Sequence, residues 1–460
     1  MPTSTAPTTS AHLTSAHPTS APTSTGPTTS APTTSAPTST ALLTDHYELT
    51  MLTAALRDGS GARSCVFEAF ARRLPEGRRY GVVAGTERLL DAIDSFRFDG
   101  GQLDYLAGQG VIDAATRDWL AGYRFSGDVD GYPEGELHFP GSPVLTVRAP
   151  FAEAVMLETL VLSVLNHDCA IAAAAARMVT AAGGRPLIEM GSRRTHEEAA
   201  VAAARAAYIA GFAGTSNLAA GRRYGVPTLG TAAHAFTLLH ASEADAFRAQ
   251  VDALGVDTTL LVDTYDISQG IRTAVEVAGP RLGAIRIDSG DLAVLAVQAR
   301  ALLDSLGASG TRIVLSGDLD EYAIASLGAA PVDAYGAGTA VVTGSGAPTA
   351  GMVYKLVEVD GSPVAKRSEH KATHGGRKTA VRRHKPTGTA VEEVFAHGTP
   401  PAAEPGDRAL QVPLVRAGRR VGEASLERSR EHLRAALVSI PWEGLKLSRG
   451  EPAIPTVYLP

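Results

Sequence analysis

Residues 283–321, GAIRIDSGDLAVLAVQARALLDSLGASGTRIVLSGDLDE, hold two short apolar runs separated by one helical segment. The runs are 283–288 and 312–316, the helix 291–306, and both runs end in charged or hydroxylated residues. Strand, helix and strand at this spacing make a β-α-β unit, with parallel strands and a right-handed crossover. The same texture extends outward. Runs at 186–190, 226–230, 258–263 and 334–336 alternate with helices at 197–210, 243–253, 267–278 and 321–328. No dinucleotide fingerprint opens the first unit, so the count suits a (β/α) barrel better than an open sheet.

Upstream, 153–182 reads as a long helix, and before it the chain is α+β in character. Residues 44–57 read as a helix with Thr44 as N-cap and Tyr47, Met51, Ala54 and Ala55 on one stripe. Residues 64–72 alternate like a strand, 81–95 look helical, and 125–145 are rich in turns and β-formers. After 351 the pattern VYKLVEVDGSPVAKRSE suggests a hairpin around its Asp-Gly pair, and one helix is expected near 426–437.

The 460 residues carry 42 Lys and Arg against 48 Asp and Glu, a net charge of −6. That balance, without basic blocks, argues against nucleic acid as a partner. A hydrophobic share of 44% is enough for a large core. No segment offers 18 uncharged apolar residues, so no membrane span is expected; the nearest, 170–182, contains Arg177. Cys65 and Cys169 show no metal-ligand spacing and read as reduced thiols of a cytoplasmic protein. Residues 1–41 are almost wholly Thr, Ser, Ala and Pro, without the pattern of a secretory signal. They are expected to be a disordered leader outside the fold.

In a parallel barrel the C-terminal strand ends build the site. Here those ends carry EMGSRR (189–194), GTAAH (230–234), DTYD (263–266), RIDSGD (286–291), SGDLDE (316–321) and GAGT (336–339). The glycine-containing turns of SGD and GAGT can bring backbone N–H groups to an anion. Arg193, Arg194 and Arg286 add fixed positive charge suited to phosphate or carboxylate. Asp288 and Asp291 can hold ribose hydroxyls or Mg²⁺-bound water, or simply cap the following helix. His234 lies just past a strand end as a base or a phosphoryl acceptor, and spacing does not choose between them. No residue is assigned as a metal ligand.

These motifs resemble the nicotinate phosphoribosyltransferase family. The resemblance runs in order through LLTDHYELTM, FEAFARRLPEGRRYGVVAG, EMGSRR, GFAGTSNLAAG, GTAAHAF, LLVDTYD, IRIDSGDL, GAGTAVVT and VYKLVEV, from about residue 42 to 382. It implies the type II phosphoribosyltransferase fold, an irregular (β/α) barrel with an α/β domain built from N- and C-terminal parts. The expected boundaries are 42–150 for the N-terminal domain, 151–350 for the catalytic barrel and 351–460 for the part completing the first domain. It further implies nicotinate and phosphoribosyl pyrophosphate as substrates, ATP as co-substrate in ligase-type chemistry, Mg²⁺, and a homodimer with shared active sites.

Carried over by motif, His234 corresponds to the transiently phosphorylated histidine and Tyr47 to an aromatic that stacks on the pyridine ring across the dimer. Thr231 and Arg286 match nicotinate-contacting positions, and Thr339 one binding the ribosyl phosphate. Arg193, Asp288, Gly317, Asp318 and Gly338 fall in matching substrate-binding motifs. The chain departs from the family in its leader, in Gly317 where Asn is often seen, and in Gly375 where Pro is usual. Sister enzymes acting on nicotinamide or quinolinate are the nearest alternatives. Ser216 stands where the nicotinamide relatives present an acid, and a second carboxylate would call for more basic residues. A non-catalytic barrel binding phosphoribosyl ligands is the rival from another class.

Overall fold

The computed structural model describes residues 39–366, 374–422 and 425–459. The leader expected at 1–41 lies outside them up to residue 38, as do 367–373 of the basic loop. Three residues assigned to the leader belong to the fold instead. Ser39 Oγ donates to the Arg97 carbonyl at 2.6 Å, Thr40 Oγ1 to the Ala92 carbonyl at 2.6 Å, and Ala41 is fully buried.

Chain order begins with α1 (His46–Asp58), β1 (Ser64–Ala71), β2 (Gly81–Val82), α2 (Thr86–Asp94), α3 (Gly100–Gly108) and α4 (Ala114–Ala121). Strands β3 (Asp128–Gly131), β4 (Leu137–His138) and β5 (Leu145–Pro150) follow, then α5 (Phe151–Val155). The N-cap position of α1 is Asp45, not Thr44, without a side-chain capping hydrogen bond, and the helix buries Glu48, Leu49, Leu52 and Ala55. The expected stripe is therefore rotated, because Glu48 turns inward. Its carboxylate accepts the Thr159 backbone N–H at 2.8 Å and the Thr44 and Thr159 hydroxyls, which makes the buried acid tolerable. Tyr47 is left 45% exposed.

Helix α6 (Glu158–Ala182) starts after a break at Met156 and Leu157. By length and composition it is apolar enough to cross a membrane, but 72% of its apolar window is buried inside the protein. Its first half, with Leu160, Val161 and Leu165, joins the core under β1 and β5. Further along, Ala172, Ala173, Ala175 and Ala176 pack in the second core with Ala203, Ala206 and Ala207 of α7 (Glu197–Ala210).

The second half of the chain alternates as expected. Strands β6 (Leu187–Glu189), β7 (Gly214–Thr215), β8 (Thr259–Leu261), β9 (Ala284–Ile287), β10 (Arg312–Leu315) and β11 (Ala334–Ala337) form one parallel sheet in the order β7-β6-β11-β10-β9-β8. Helices α8 (Leu218–Tyr224), α9 (His234–Leu239), α10 (Glu243–Leu254), α11 (Ile267–Ala278), α12 (Leu292–Ser305), α13 (Glu321–Ser326) and α14 (Thr339–Val342) connect them. The barrel is irregular. The run 226–230 does not form a full strand and makes a single bridge, Thr228 to Thr215. Pro227 within it has no N–H to donate.

The chain then returns to the first sheet. Strands β12 (Met352–Val359) and β13 (Ser362–Pro363) form the expected hairpin, with Asp360 at φ 48° and Gly361 at φ 75° in its turn. Strands β14 (Lys378–His384), β15 (Ala390–His397), β16 (Arg408–Ala409), β17 (Val412–Arg416) and β18 (Arg419–Arg420) precede α15 (Leu426–Ser439) and β19 (Thr456–Tyr458). The seven-stranded sheet runs β13-β12-β1-β5-β3-β17-β18, so strands from both ends of the chain share it. The fully buried Arg382 fastens the C-terminal sheet to β4's neighbour Glu136 at 2.5 Å and also pairs with Glu393 of the adjacent strand in its own sheet at 2.6 Å. Both cysteines are free and buried, and burial pushes the thiols up, Cys65 to about 11 and Cys169 to about 12.

Candidate active site

Because β6, β9, β10 and β11 are parallel neighbours, the residues just past their C-terminal ends meet at one rim. A cavity of about 220 Å³ opens there. It is lined by Arg193, Arg286, Asp288, Gly317, Asp318, Gly338 and Thr339, all expected from the sequence, with Arg194, Met190, Ser316 and Gly336. Three guanidiniums against two carboxylates leave the rim net positive, which suits an anionic ligand.

Arg286 is its centre. The guanidinium donates from Nε to Ser316 Oγ at 2.6 Å, from Nη1 to Thr231 Oγ1 at 2.8 Å and from Nη2 to Asp288 Oδ1 at 2.7 Å. Guanidinium has five N–H donors, so one remains on each terminal nitrogen. Ser316 also donates to Asp288, closing a ring of three side chains. Burial acts to raise the Asp288 carboxyl, but the Ser316 and Arg286 hydrogen bonds, the Arg286 charge and His234 together hold it below the usual aspartate range. Thr231 therefore sits beside the cavity rim through Arg286 rather than among its lining residues.

Glycine is required at 317. Its φ is +123°, and a Cβ there would lie 2.8 Å from the Asp288 carbonyl oxygen. That close approach lets the turn after β10 fold against the one after β9.

His234 opens α9 and makes no cap. Its Nε2 lies 3.0 Å from Oδ1 of Asp263, whose side chain is 1% exposed. The other carboxylate oxygen of Asp263 accepts the Asp288 backbone N–H at 2.8 Å and the Ser289 hydroxyl at 3.1 Å. His234 is thus joined to the cavity by one residue. His240 is bound to its own helix instead, with Nδ1 2.8 Å from the Phe236 carbonyl oxygen. Asp291 is an N-cap, accepting the Val294 N–H at 3.3 Å. Tyr47 does not line the cavity within one chain; burial, then Glu158 and Glu48, push its hydroxyl up to about 12.

Ser316 and Asp263 are the two site residues whose roles the sequence left unassigned. Both lie in the strand-end clusters, and that position was the available signal. Among the described residues no group of three or more His, Cys, Asp or Glu gathers to hold a metal. Asp318 is exposed and its carboxylate has no hydrogen bond among the described residues, which fits an ion shared with a bound phosphate group, since Mg²⁺ commonly takes one or two carboxylates plus substrate oxygens.

Residues 42–166 match the nicotinate phosphoribosyltransferase N-terminal domain, and residues 186–398 match the nicotinate phosphoribosyltransferase family. Nicotinate phosphoribosyltransferase pncB1 of Mycobacterium tuberculosis is 65% identical over 428 residues, spanning 91% of this chain and 95% of that relative. The nicotinate phosphoribosyltransferase of Bacillus subtilis is 39% identical over 357 residues, 74% of this chain and 73% of its own. Human nicotinic acid phosphoribosyltransferase superposes with a TM-score of 0.78 at 26% identity, covering 89% of this chain and 96% of that one. A nicotinate-nucleotide pyrophosphorylase from Pyrococcus furiosus shares the fold, with a TM-score of 0.73 at 24% identity over 86% of this chain and 94% of that one.

Proposed function

This chain belongs to the nicotinate phosphoribosyltransferase family of NAD biosynthesis, and we propose that its Arg286 cavity joins nicotinate to phosphoribosyl pyrophosphate with ATP as co-substrate. The observation that carries this reading is Arg286 itself, held on three sides and left with one N–H on each terminal nitrogen. Such a fork matches a carboxylate in a bidentate way.

The pyridine nitrogen forms its bond to C1 of the ribose as the bond from C1 to the pyrophosphate oxygen breaks, and the electron pair leaves with pyrophosphate. No proton is removed from the ring nitrogen, so the transfer needs no general base. The chain's tasks are orientation and charge. Arg286 and Thr231 orient the ring through its carboxylate, while Arg193 and Arg194 face the leaving group. The turn at Gly338 and Thr339 offers backbone N–H groups to the ribosyl phosphate. Asp318 and Asp288 are the carboxylates that would hold Mg²⁺, which neutralises pyrophosphate charge when bound.

His234 fits the phosphoryl acceptor better than a base. Asp263 takes its Nε2, and phosphorylation would place new charge one residue from the Asp288 backbone. ATP gives its terminal phosphoryl to the imidazole with ADP leaving, and water later releases phosphate. Leu238 and Leu239, on the helix that His234 opens, and Tyr265, two residues after Asp263, are exposed by 62%, 78% and 61%. An apolar rim of this size fits a second copy of the chain, whose Tyr47 would reach the ring. The buried reduced thiols fit the cytoplasm.

The test is turnover by the purified chain with phosphoribosyl pyrophosphate and each of nicotinate, nicotinamide and quinolinate, with and without ATP. Nicotinate mononucleotide as the main product, formed faster with ATP, is expected. Preference for either other base, or ligand binding without turnover, would contradict the proposal.

A further inference from the structure

The phosphate side of the cavity is made by two turns, residues 316–318 after β10 and 338–339 after β11, and the two are tied together from behind. Glu321, the first residue of α13, is fully buried. Its Oε1 accepts Arg78 Nη1 at 3.0 Å and Arg177 Nε at 2.9 Å, and its Oε2 accepts the Ser345 hydroxyl at 2.5 Å. Arg78 Nη2 donates to the carbonyl oxygens of Gly344 at 2.7 Å and Ser345 at 3.1 Å. Gly344 and Ser345 form the turn closing α14, with Ser345 held at φ 46° in the left-handed region. One guanidinium therefore grips the start of the helix after the first turn and the end of the helix after the second.

None of Arg78, Arg177, Glu321 and Ser345 lines the cavity. Arg78 and Arg177 are only 6% and 4% exposed, and Arg177 Nη2 finishes on Tyr322 Oη and the Leu447 carbonyl oxygen, each at 3.2 Å. Burying three charges is costly, and apolar side chains of like volume commonly serve stability as well or better. What the ionic cluster supplies instead is fixed geometry between two segments that are far apart in sequence. Backbone donors must lie within hydrogen-bond reach of a phosphate to act on it, and displacement by roughly 1 Å can cost about a hundredfold in rate.

We propose that Arg78, Glu321 and Ser345 form a clamp that sets the spacing of the two phosphate turns, making them positioning residues for phosphoribosyl pyrophosphate and not for the pyridine base. This rests on the reading that the cavity takes that substrate. The clamp ties the loop between β1 and β2 to the site built on the parallel sheet. With Arg177 beside it, the cluster sets two cations against one anion and leaves positive charge behind the phosphate turns.

The experiment compares Glu321→Gln, Ser345→Ala and Arg78→Ala with the native chain in steady-state kinetics, and measures inorganic pyrophosphate binding by calorimetry. The KM for phosphoribosyl pyrophosphate should rise about tenfold while the KM for nicotinate stays within about twofold. Pyrophosphate affinity should fall by a similar factor. Ser345→Ala removes one hydroxyl and carries the test if Arg78→Ala fails to fold. Unchanged phosphoribosyl pyrophosphate KM and pyrophosphate affinity, with only a lower melting temperature, would overturn the clamp. A native chain that turns over no nicotinate yet binds pyrophosphate, and loses that binding in the variants, would sink the substrate reading and leave the clamp standing.

Discussion

His234 presents Nε2 to Asp263 at 3.0 Å, and a carboxylate can only accept, so this nitrogen carries the proton. The neutral imidazole then has its lone pair on Nδ1, away from Asp263. Phosphorylation should accordingly occur on Nδ1. Incubation with γ-labelled ATP should leave acid-labile, base-stable label on the native chain, and phosphorus NMR of the labelled protein should report the Nδ1 isomer. His234→Ala should abolish labelling and ATP hydrolysis together, while slow ATP-independent transfer persists, because orientation and charge neutralisation reside in other residues. Asp263→Asn should cut labelling sharply by releasing the tautomer. Label that survives in His234→Ala would move the acceptor elsewhere.

The carboxyl of Asp288 supplies a pH dependence of stability. Its folded value lies below the ordinary aspartate range, near 3.9. A group depressed in this way stabilises the fold fully above that range, and the contribution disappears as pH falls through the folded value. Asp288→Asn should therefore lower the melting temperature most at about pH 6–7, and the gap to the native chain should narrow as pH falls below about 4. A gap independent of pH would mean that the Asp288 charge does not stabilise the Arg286 ring.

Much of the site was legible because it lies at strand ends. A parallel sheet aligns those ends, so Arg286, Asp288, Gly317 and Thr339, at or just past the ends of their strands, line one cavity. The contacts between them were not legible. Ser316 to Asp288 and His234 to Asp263 each join residues of different β-α units, and periodicity carries no information about such pairs. Strand β7 was missed because two residues beginning with Gly214 give no apolar run. The α1 stripe was misread because Glu48 is a polar residue on the buried face, made acceptable by threonine donors that the local sequence does not reveal.

The N-terminal boundary gives a stability prediction. Chains starting at residue 39 should melt like the full chain, since 1–38 lack a core-forming pattern. Starting at 42 removes buried Ala41 and the hydrogen bonds of Ser39 and Thr40. That should cost about 1–3 kcal/mol, read as a lower midpoint in urea. Equal midpoints for the two truncations would show that these anchors contribute nothing.

The most direct measurement is kcat/KM for nicotinate and for nicotinamide, in the native chain and in Arg286→Ala. Arg286 is placed to receive the carboxylate that nicotinamide lacks, with Thr231, Ser316 and Asp288 fixing its orientation. Removing a buried charged partner costs about 2–5 kcal/mol, roughly thirtyfold to several-thousandfold in kcat/KM. The native chain should favour nicotinate strongly, and Arg286→Ala should lose nicotinate turnover by that factor while its weak nicotinamide turnover changes far less. Equal losses for both bases would contradict the account, and would assign Arg286 to the phosphoribosyl group or to the fold.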